Sequence, residues 1–245
     1  MRTSTKILIA TLLLLVASLA FYDLGLRTEY LKGNYTDPYR EYMPLNYKDF
    51  NEVDLNSSTA INIILVKGPF KVMAAPGAMD FLKLSKKNNR LIVDAAFGAQ
   101  YRSENWDYIL YISCPSLAAF KADARYTAAG NLVVDTAANE FTWKPTLISG
   151  FTADSLNLQE DHAANVILEN NKINNLNARI GIGDKSRSDF TIGENNFFTK
   201  TNLAILNKSR LWVKGTTTNN LNYQLADSAT LVVNGASVKH LLKLN

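Results

Sequence analysis

One cysteine, two histidines, six prolines and twelve glycines in 245 residues set the first limits on this chain. A single thiol, Cys114, excludes a disulfide within one chain and any multi-cysteine zinc site. Two imidazoles, His162 and His240, leave little from which to build a histidine-based metal centre or a catalytic triad. Few prolines, with 47% hydrophobic and 20% charged residues, exclude wholesale disorder and predict one sizeable domain or at most two small ones. A strong charge of either sign is also missing. Lys and Arg number 26 against 22 Asp and Glu, scattered along the chain, so no basic face is expected and nucleic acid is not an expected partner. Asparagine is the residue in excess: there are twenty-six, more than half of them beyond residue 150.

The amino terminus carries Arg2 and Lys6 ahead of an uninterrupted apolar run from Ile7 to Tyr22. This is the pattern of a secretory signal peptide or an uncleaved signal anchor, and both export the rest of the chain. Ser18 and Ala20 suit a cleavage site. The length of the run, and its extension by Leu24 and Leu26 beyond Asp23, favour an anchor, because a helix of this length reaches about 24–30 Å against a bilayer core of about 30 Å. With no cysteine near the end of the run, a lipoprotein is excluded. Residues 1–22 are therefore expected to anchor the chain in the inner membrane, with the remainder in the periplasm or at the cell surface. Residues 23–50, polar with five tyrosines and two prolines, have the composition of a stalk, and 51–245 form the domain.

Throughout that domain, short runs of period two are separated by turn residues. Ile61, Ile63 and Leu65, then Phe70 and Val72, Leu82 and Leu84, and Leu91 and Val93 are bounded by Gly68-Pro69, Pro76-Gly77 and Asn88-Asn89. A longer strand spans Trp106 to Cys114 and stops at Pro115. No stretch after Asn51 sustains a 3.6-residue apolar stripe, so the domain is all-β. Repetition refines the class. Asp184 to Gly193, Asn207 to Gly215 and Asp227 to Gly235 each run from a turn residue through an alternating strand to a glycine, with a fainter copy from Asp161 to Asn170. A second strand falls between copies, marked by Leu176 and Ile180, Leu203 and Ile205, and Tyr223 and Leu225. Two or three short strands per repeat of about twenty residues predict a single-stranded parallel β-helix, or solenoid, with asparagine at its corners. The register places Val166, Phe190, Leu211 and Leu231 in one buried column.

The strands from Ile61 to Val66, Gly68 to Val72 and Leu91 to Ala95, the Tyr108 to Ser113 strand with Cys114-Pro115-Ser116-Leu117, and the repeats together resemble the auto-transporter adhesin, head GIN domain family. The resemblance spans about residues 50–240 and implies an exported β-solenoid of Bacteroidetes with an adhesion role. It supplies no catalytic residues. Few glycines follow the strands here, Ala129-Gly130-Asn131 being the turn most like the family's.

Chemistry-bearing residues are sparse. Asp161 and His162 are neighbours and would point to opposite faces of a strand. Cys114 has no local basic partner and is expected to be a buried apolar residue. Gly181-Ile182-Gly183 lacks the Lys-Ser of a phosphate loop and is expected to be a corner. No catalytic, cofactor-binding or metal-ligating residue is nominated, and no cofactor is expected. The sharpest ligand candidate is a basic stripe of Lys185, Arg187, Lys208 and Arg210, aligned so that Lys185 stacks on Lys208 and Arg187 on Arg210; it would suit an acidic glycan or lipopolysaccharide. The expected function is a non-enzymatic exported solenoid presenting a binding or adhesion surface in the cell envelope to a glycan or protein, held to the membrane by its amino-terminal helix. The alternatives are a polysaccharide lyase or hydrolase with acids gathered from distant rungs, and an envelope sensor or regulatory partner.

Overall fold

A computed structural model describes residues 2–33, 37–98, 108–136, 145–215, 217–218 and 221–235. The chain divides into two compact units, Met1–Glu41 and Tyr42–Asn245. In the first, α1 (Thr3–Leu31) is a continuous helix with no buried residue, about 43 Å long at 1.5 Å per residue. Its mean hydropathy reaches 2.3, so it is long and apolar enough to cross a membrane. Leucine and alanine carry it past Asp23 and Gly25, so the first residues of the expected 23–50 stalk are helical. The hydroxyls of Thr11, Ser18 and Thr28 donate to Ile7, Leu15 and Leu24 carbonyls in the preceding turn, which keeps them satisfied in an apolar surrounding.

The second unit is all-β. Its first part runs β1 (Met43–Leu45), β2 (Glu52–Leu55), β3 (Ile63–Lys67), β4 (Lys71–Ala74), β5 (Leu82–Lys87), β6 (Arg90–Phe97), β7 (Leu110–Cys114), β8 (Ala119–Ala122), β9 (Arg125–Ala128) and β10 (Asn131–Val134). Its second part runs β11 (Thr146–Ser149), β12 (Thr152–Glu160), β13 (Asn165–Glu169), β14 (Lys172–Ile180), β15 (Asp189–Ile192), β16 (Phe197–Ile205), β17 (Arg210–Val213), β18 (Thr217–Thr218), β19 (Tyr223–Leu225) and β20 (Thr230–Val233). Two sheets result, of order β1-β4-β7-β3-β11-β13-β15-β17-β20 and β10-β9-β6-β2-β8-β12-β14-β16-β18, with β19 beside β16 and β5 beside β6. Trp106 and His240 lie outside the described residues.

Both sheets are mixed, and this corrects the expectation of one parallel coil over 51–245. From β11 onward every pairing is parallel, and strands alternate between sheets up to β18, which is followed by β19 in the same sheet. In the first part, β1–β4, β4–β7, β5–β6 and β9–β10 pair antiparallel. The cause is local. Asn88 (φ 55°), and Ala129 and Gly130 (φ 48° and 80°), adopt left-handed conformations in two-residue turns that fold each strand back on its neighbour. Tyrosines assigned to the stalk belong to this unit too: Tyr42 is buried and donates its hydroxyl to the Tyr108 carbonyl, and Tyr47 donates to the Leu84 carbonyl at 3.0 Å.

Columns of apolar side chains make the core. Val166, Phe190, Leu211 and Leu231 are in register, as the repeats predict; the first three are buried and Leu231, on the last rung, is half-buried. Beside them Ile112, Leu65, Ile148, Leu168, Ile192, Val213 and Val233 run the length of the first sheet. In the second sheet Leu91, Val53, Phe120, Leu158, Ala178 and Leu203 do the same. One neighbouring column reads Val93, Leu55, Ala122, Glu160, Ile180 and Ile205, so a carboxylic acid occupies an apolar position.

Asparagine works in two ways at the corners. Asn170, Asn195 and Asn207 take left-handed backbone (φ 56°, 56° and 52°), the role glycine plays elsewhere. Asn171 and Asn196 turn inward and are buried. The Asn196 Nδ2 donates to the carbonyls of Leu168 (2.7 Å) and Gly193 (3.0 Å), while its Oδ1 accepts the Asn171 main-chain N–H and Nδ2 at 3.0 and 3.1 Å. These amides satisfy backbone groups that a sharp corner leaves without a ladder partner.

Candidate functional site

Three nine-residue strands, β12, β14 and β16, give the second sheet a broad outer face. Alternation sends Leu156, Leu158, Leu176, Ala178, Phe198 and Leu203 inward and turns polar residues out. Side-chain amides link the rungs. Asn202 Nδ2 donates to Asn177 Oδ1 at 2.8 Å, and Asn177 Nδ2 to Asn157 Oδ1 at 3.1 Å. Alongside, Asn174 donates to Asp154 at 3.0 Å and Thr199 to Asn174 at 3.4 Å. Such ladders hold the face in one arrangement before any ligand arrives. The outward residues of β8, β12, β14 and β16 include Lys121, Lys172, Arg179 and Lys200 against a single acid, Asp154. The face is locally basic although the chain is nearly balanced.

Arg179 leads into a charged corner. Gly181 is required there: its φ is +76°, and a Cβ would lie 2.1 Å from the Ser209 hydroxyl and 2.6 Å from the Leu206 carbonyl. Asp161 Oδ1 accepts the main-chain N–H of His162 (2.8 Å) and Gly183 (2.7 Å). The His162 Nδ1 lies 2.7 Å from Asp123 Oδ1, and Asp123, which is buried, also takes the Ala124 N–H at 2.8 Å and the Arg125 guanidinium at 2.8 Å. The strand rule separates Asp161 from His162, but His162 sits in a left-handed corner (φ 53°), which swings its ring to an acid one rung above. Nothing near His162 in sequence signals Asp123; only the rung spacing could have found it.

Asp123, Asp161 and His162 bring three potential metal-ligand atoms together. Asp123 and the Asp161 Oδ1 accept main-chain N–H groups, the His162 ring and Arg125, so the cluster reads as a pin between rungs. Nor is it a triad. The hydroxyls of Ser186 and Ser188 both donate to the His162 carbonyl at 3.0 Å, not to its ring. Replacing His162 with alanine should cost about 1–3 kcal/mol, the penalty for a buried acceptor that loses a partner. A lower urea midpoint with unchanged slope is the expected result. Cys114 is no nucleophile either, since burial pushes its thiol up to about 12.

Of the sequence-predicted stripe, Lys185, Arg187 and Lys208 are exposed along this corner. Lys185 takes left-handed backbone (φ 64°), the Arg187 N–H donates to the His162 carbonyl at 2.9 Å, and the Lys208 N–H to the Ser186 carbonyl at 3.3 Å. Arg210 is not stacked on Arg187. Its register partner is Asp189, which it grips with two bonds of 2.8 Å, while its guanidinium lies 5.0 Å from the Trp212 ring centre. The corner at 181–188 is longer than the one at 206–209, so aligning the turns displaced the strands, and an opposite charge takes the place of a repelling one.

No family model and no curated protein matches the chain. Among solved structures, a Bacteroides fragilis NCTC 9343 protein provisionally named an adhesin aligns with a TM-score of 0.41 at 14% identity, covering 79% of this chain and 96% of its own. A similarly named protein from Parabacteroides distasonis ATCC 8503 gives 0.41 at 13% identity, covering 79% and 94%. Another from that organism, provisionally named a lipid-binding protein, gives 0.31 at 9%, covering 80% and 94%. Likenesses this weak assign the chain no function.

Proposed function

We propose that the chain is a non-enzymatic, exported β-solenoid protein, held at the bacterial cell envelope by α1, that presents the outer face of its second sheet as a binding surface for an acidic glycan. The observation that carries this is the outward cations Lys172, Arg179 and Lys200 of β14 and β16, with Lys121 beside them on β8, against Asp154 as the one outward acid of β12, β14 and β16, on a face held in place by amide ladders. Asp54, in register with Lys121, marks where the charge changes sign at β2. Lys185, Arg187 and Lys208 extend the same charge around the corner that follows Arg179. The parallel stack from β11 to β20 serves as the solenoid scaffold, and an apolar helix at the amino terminus suits a tether. The likeness of the strands and repeats to the head GIN domain family fits the same role.

The test is binding of the full chain, in detergent micelles, to immobilised uronate-bearing, sulfated and neutral polysaccharides across a salt series. Binding to the acidic polymers that weakens with salt is expected. Charge reversal of Lys172, Arg179 and Lys200 together should weaken it by about tenfold or more, equivalent to about 1.4 kcal/mol. Reversing Lys185, Arg187 and Lys208 reads the contribution of the corner. Salt-independent binding, or binding indifferent to the first triple reversal, would sink the proposal.

A further inference from the structure

β18 and β19 both pair with β16. On β16, Leu156 and Leu176 of the rungs above are stacked over Thr201, which is buried although polar. Its hydroxyl accepts the Asn222 N–H at 2.8 Å and donates back to the Asn222 carbonyl at 3.3 Å. That exchange fixes the chain where it enters β19, and a depression of about 180 Å³ opens on the outer face between β16 and β19. Asn202, Leu203, Ala204, Asn222 and Gln224 line it. Leu203 turns its side chain to the core, so three carboxamides and the Ala204 methyl face the space.

The geometry points to a subsite for one neutral glycosyl unit in this depression, at the end of the amide ladder. At about 180 Å³ it is on the scale of a single sugar ring and below the several hundred Å³ of pockets for larger ligands. Among the described residues that line it, none is charged. Each carboxamide offers both donors and an acceptor, which matches hydroxyls that do both at once. The ladder adds direction. Asn202 gives an N–H to Asn177, which gives one to Asn157, so its own oxygen, unused by the ladder, is the acceptor end of a polarised chain. The inference rests on the glycan-binding proposal and narrows it: the polymer lies over the cations, and an uncharged ring is taken between β16 and β19.

The experiment is titration of the full chain in micelles with methyl glucoside, methyl galactoside and methyl mannoside, monitored through the side-chain amide resonances of Asn and Gln. Saturable shifts at Asn202, Asn222 and Gln224 with at least one glycoside are expected, with affinity of about millimolar order and no dependence on salt. Asn202→Ala should weaken binding about fivefold, the loss of one hydrogen bond. Ala204→Phe should abolish it by filling the space while leaving every amide in place. No saturable shift with any of the three, or shifts unaffected by Ala204→Phe, overturns the inference. Because these probes are uncharged, their failure alongside salt-sensitive polymer binding refutes the subsite alone. Their success without polymer binding refutes the charged face alone.

Discussion

Replacing Asn196 with aspartate is expected to cost about 3–5 kcal/mol, the range for leaving a buried charge uncompensated. The substitution keeps the shape and exchanges two N–H donors for an oxygen. That oxygen would then face the Leu168 and Gly193 carbonyls, which now receive the amide at 2.7 and 3.0 Å, in a site with no solvent exposure. The damage should depend on pH with a definite sign. A carboxyl in that position holds its proton more tightly folded than unfolded, so the variant loses stability as pH rises from the unfolded value of about 4. Urea unfolding at acid and neutral pH would check this. A variant as stable as the parent at neutral pH would show that the corner does not depend on its buried amides.

Replacing Glu160 should have the opposite effect on stability. The residue lies in an apolar column between Ala122 and Ile180, is fully buried, and neither carboxyl oxygen has a hydrogen-bond partner among the described residues. Burial, with a smaller contribution from the charge of Asp189, holds its pKa well above the ordinary carboxylate value. The folded chain therefore keeps a proton that the unfolded chain releases. Below about pH 4 both states are protonated and the group adds no pH dependence; above it, stability falls by up to about 1.4 kcal/mol per pH unit until the raised folded value is reached. Glu160→Gln should flatten that slope. Glu160→Leu should add about 1–3 kcal/mol at neutral pH, because it removes an unsatisfied buried polar group for a side chain of similar volume. On a chain of this size that is several degrees of thermal midpoint. Loss of stability in Glu160→Leu would show that the acid has a partner and a structural task.

The parallel stack was legible because its signal is periodic. Val166, Phe190, Leu211 and Leu231 are found by alternation within a strand and recurrence between strands, and a shift of one residue would have turned each toward solvent. Asn170 likewise closes its repeat in the left-handed conformation that Gly215 adopts in a sister copy. What was hidden depends on lengths that vary. The corner after β14 is longer than the one after β16, so matching the turns put Arg187 under Arg210 where Asp189 belongs. The Asp123–His162 contact joins residues with no local pattern in common. The antiparallel first part was hidden for another reason: alternation of period two is the same in parallel and antiparallel strands, and the left-handed turns at Asn88 and at Ala129-Gly130 mark only the β5–β6 and β9–β10 hairpins. The basic face of the second sheet was obscured by whole-chain charge. Lys121, on β8, and Lys200, on β16, lie far from Lys172 and Arg179 of β14 in sequence, and rung stacking brings these three strands onto one face.

The central claim is that this face binds and does not transform its ligand. The most direct measurement is prolonged incubation of the full chain with the acidic polysaccharide it retains best, followed by sizing of the recovered polymer and assay for new reducing ends or unsaturated products. The polymer is predicted to be held in a salt-reversible way and recovered at its original length. Shortened or unsaturated product that accumulates with time, and disappears with the charge-reversed face, would contradict the account and make the chain an enzyme.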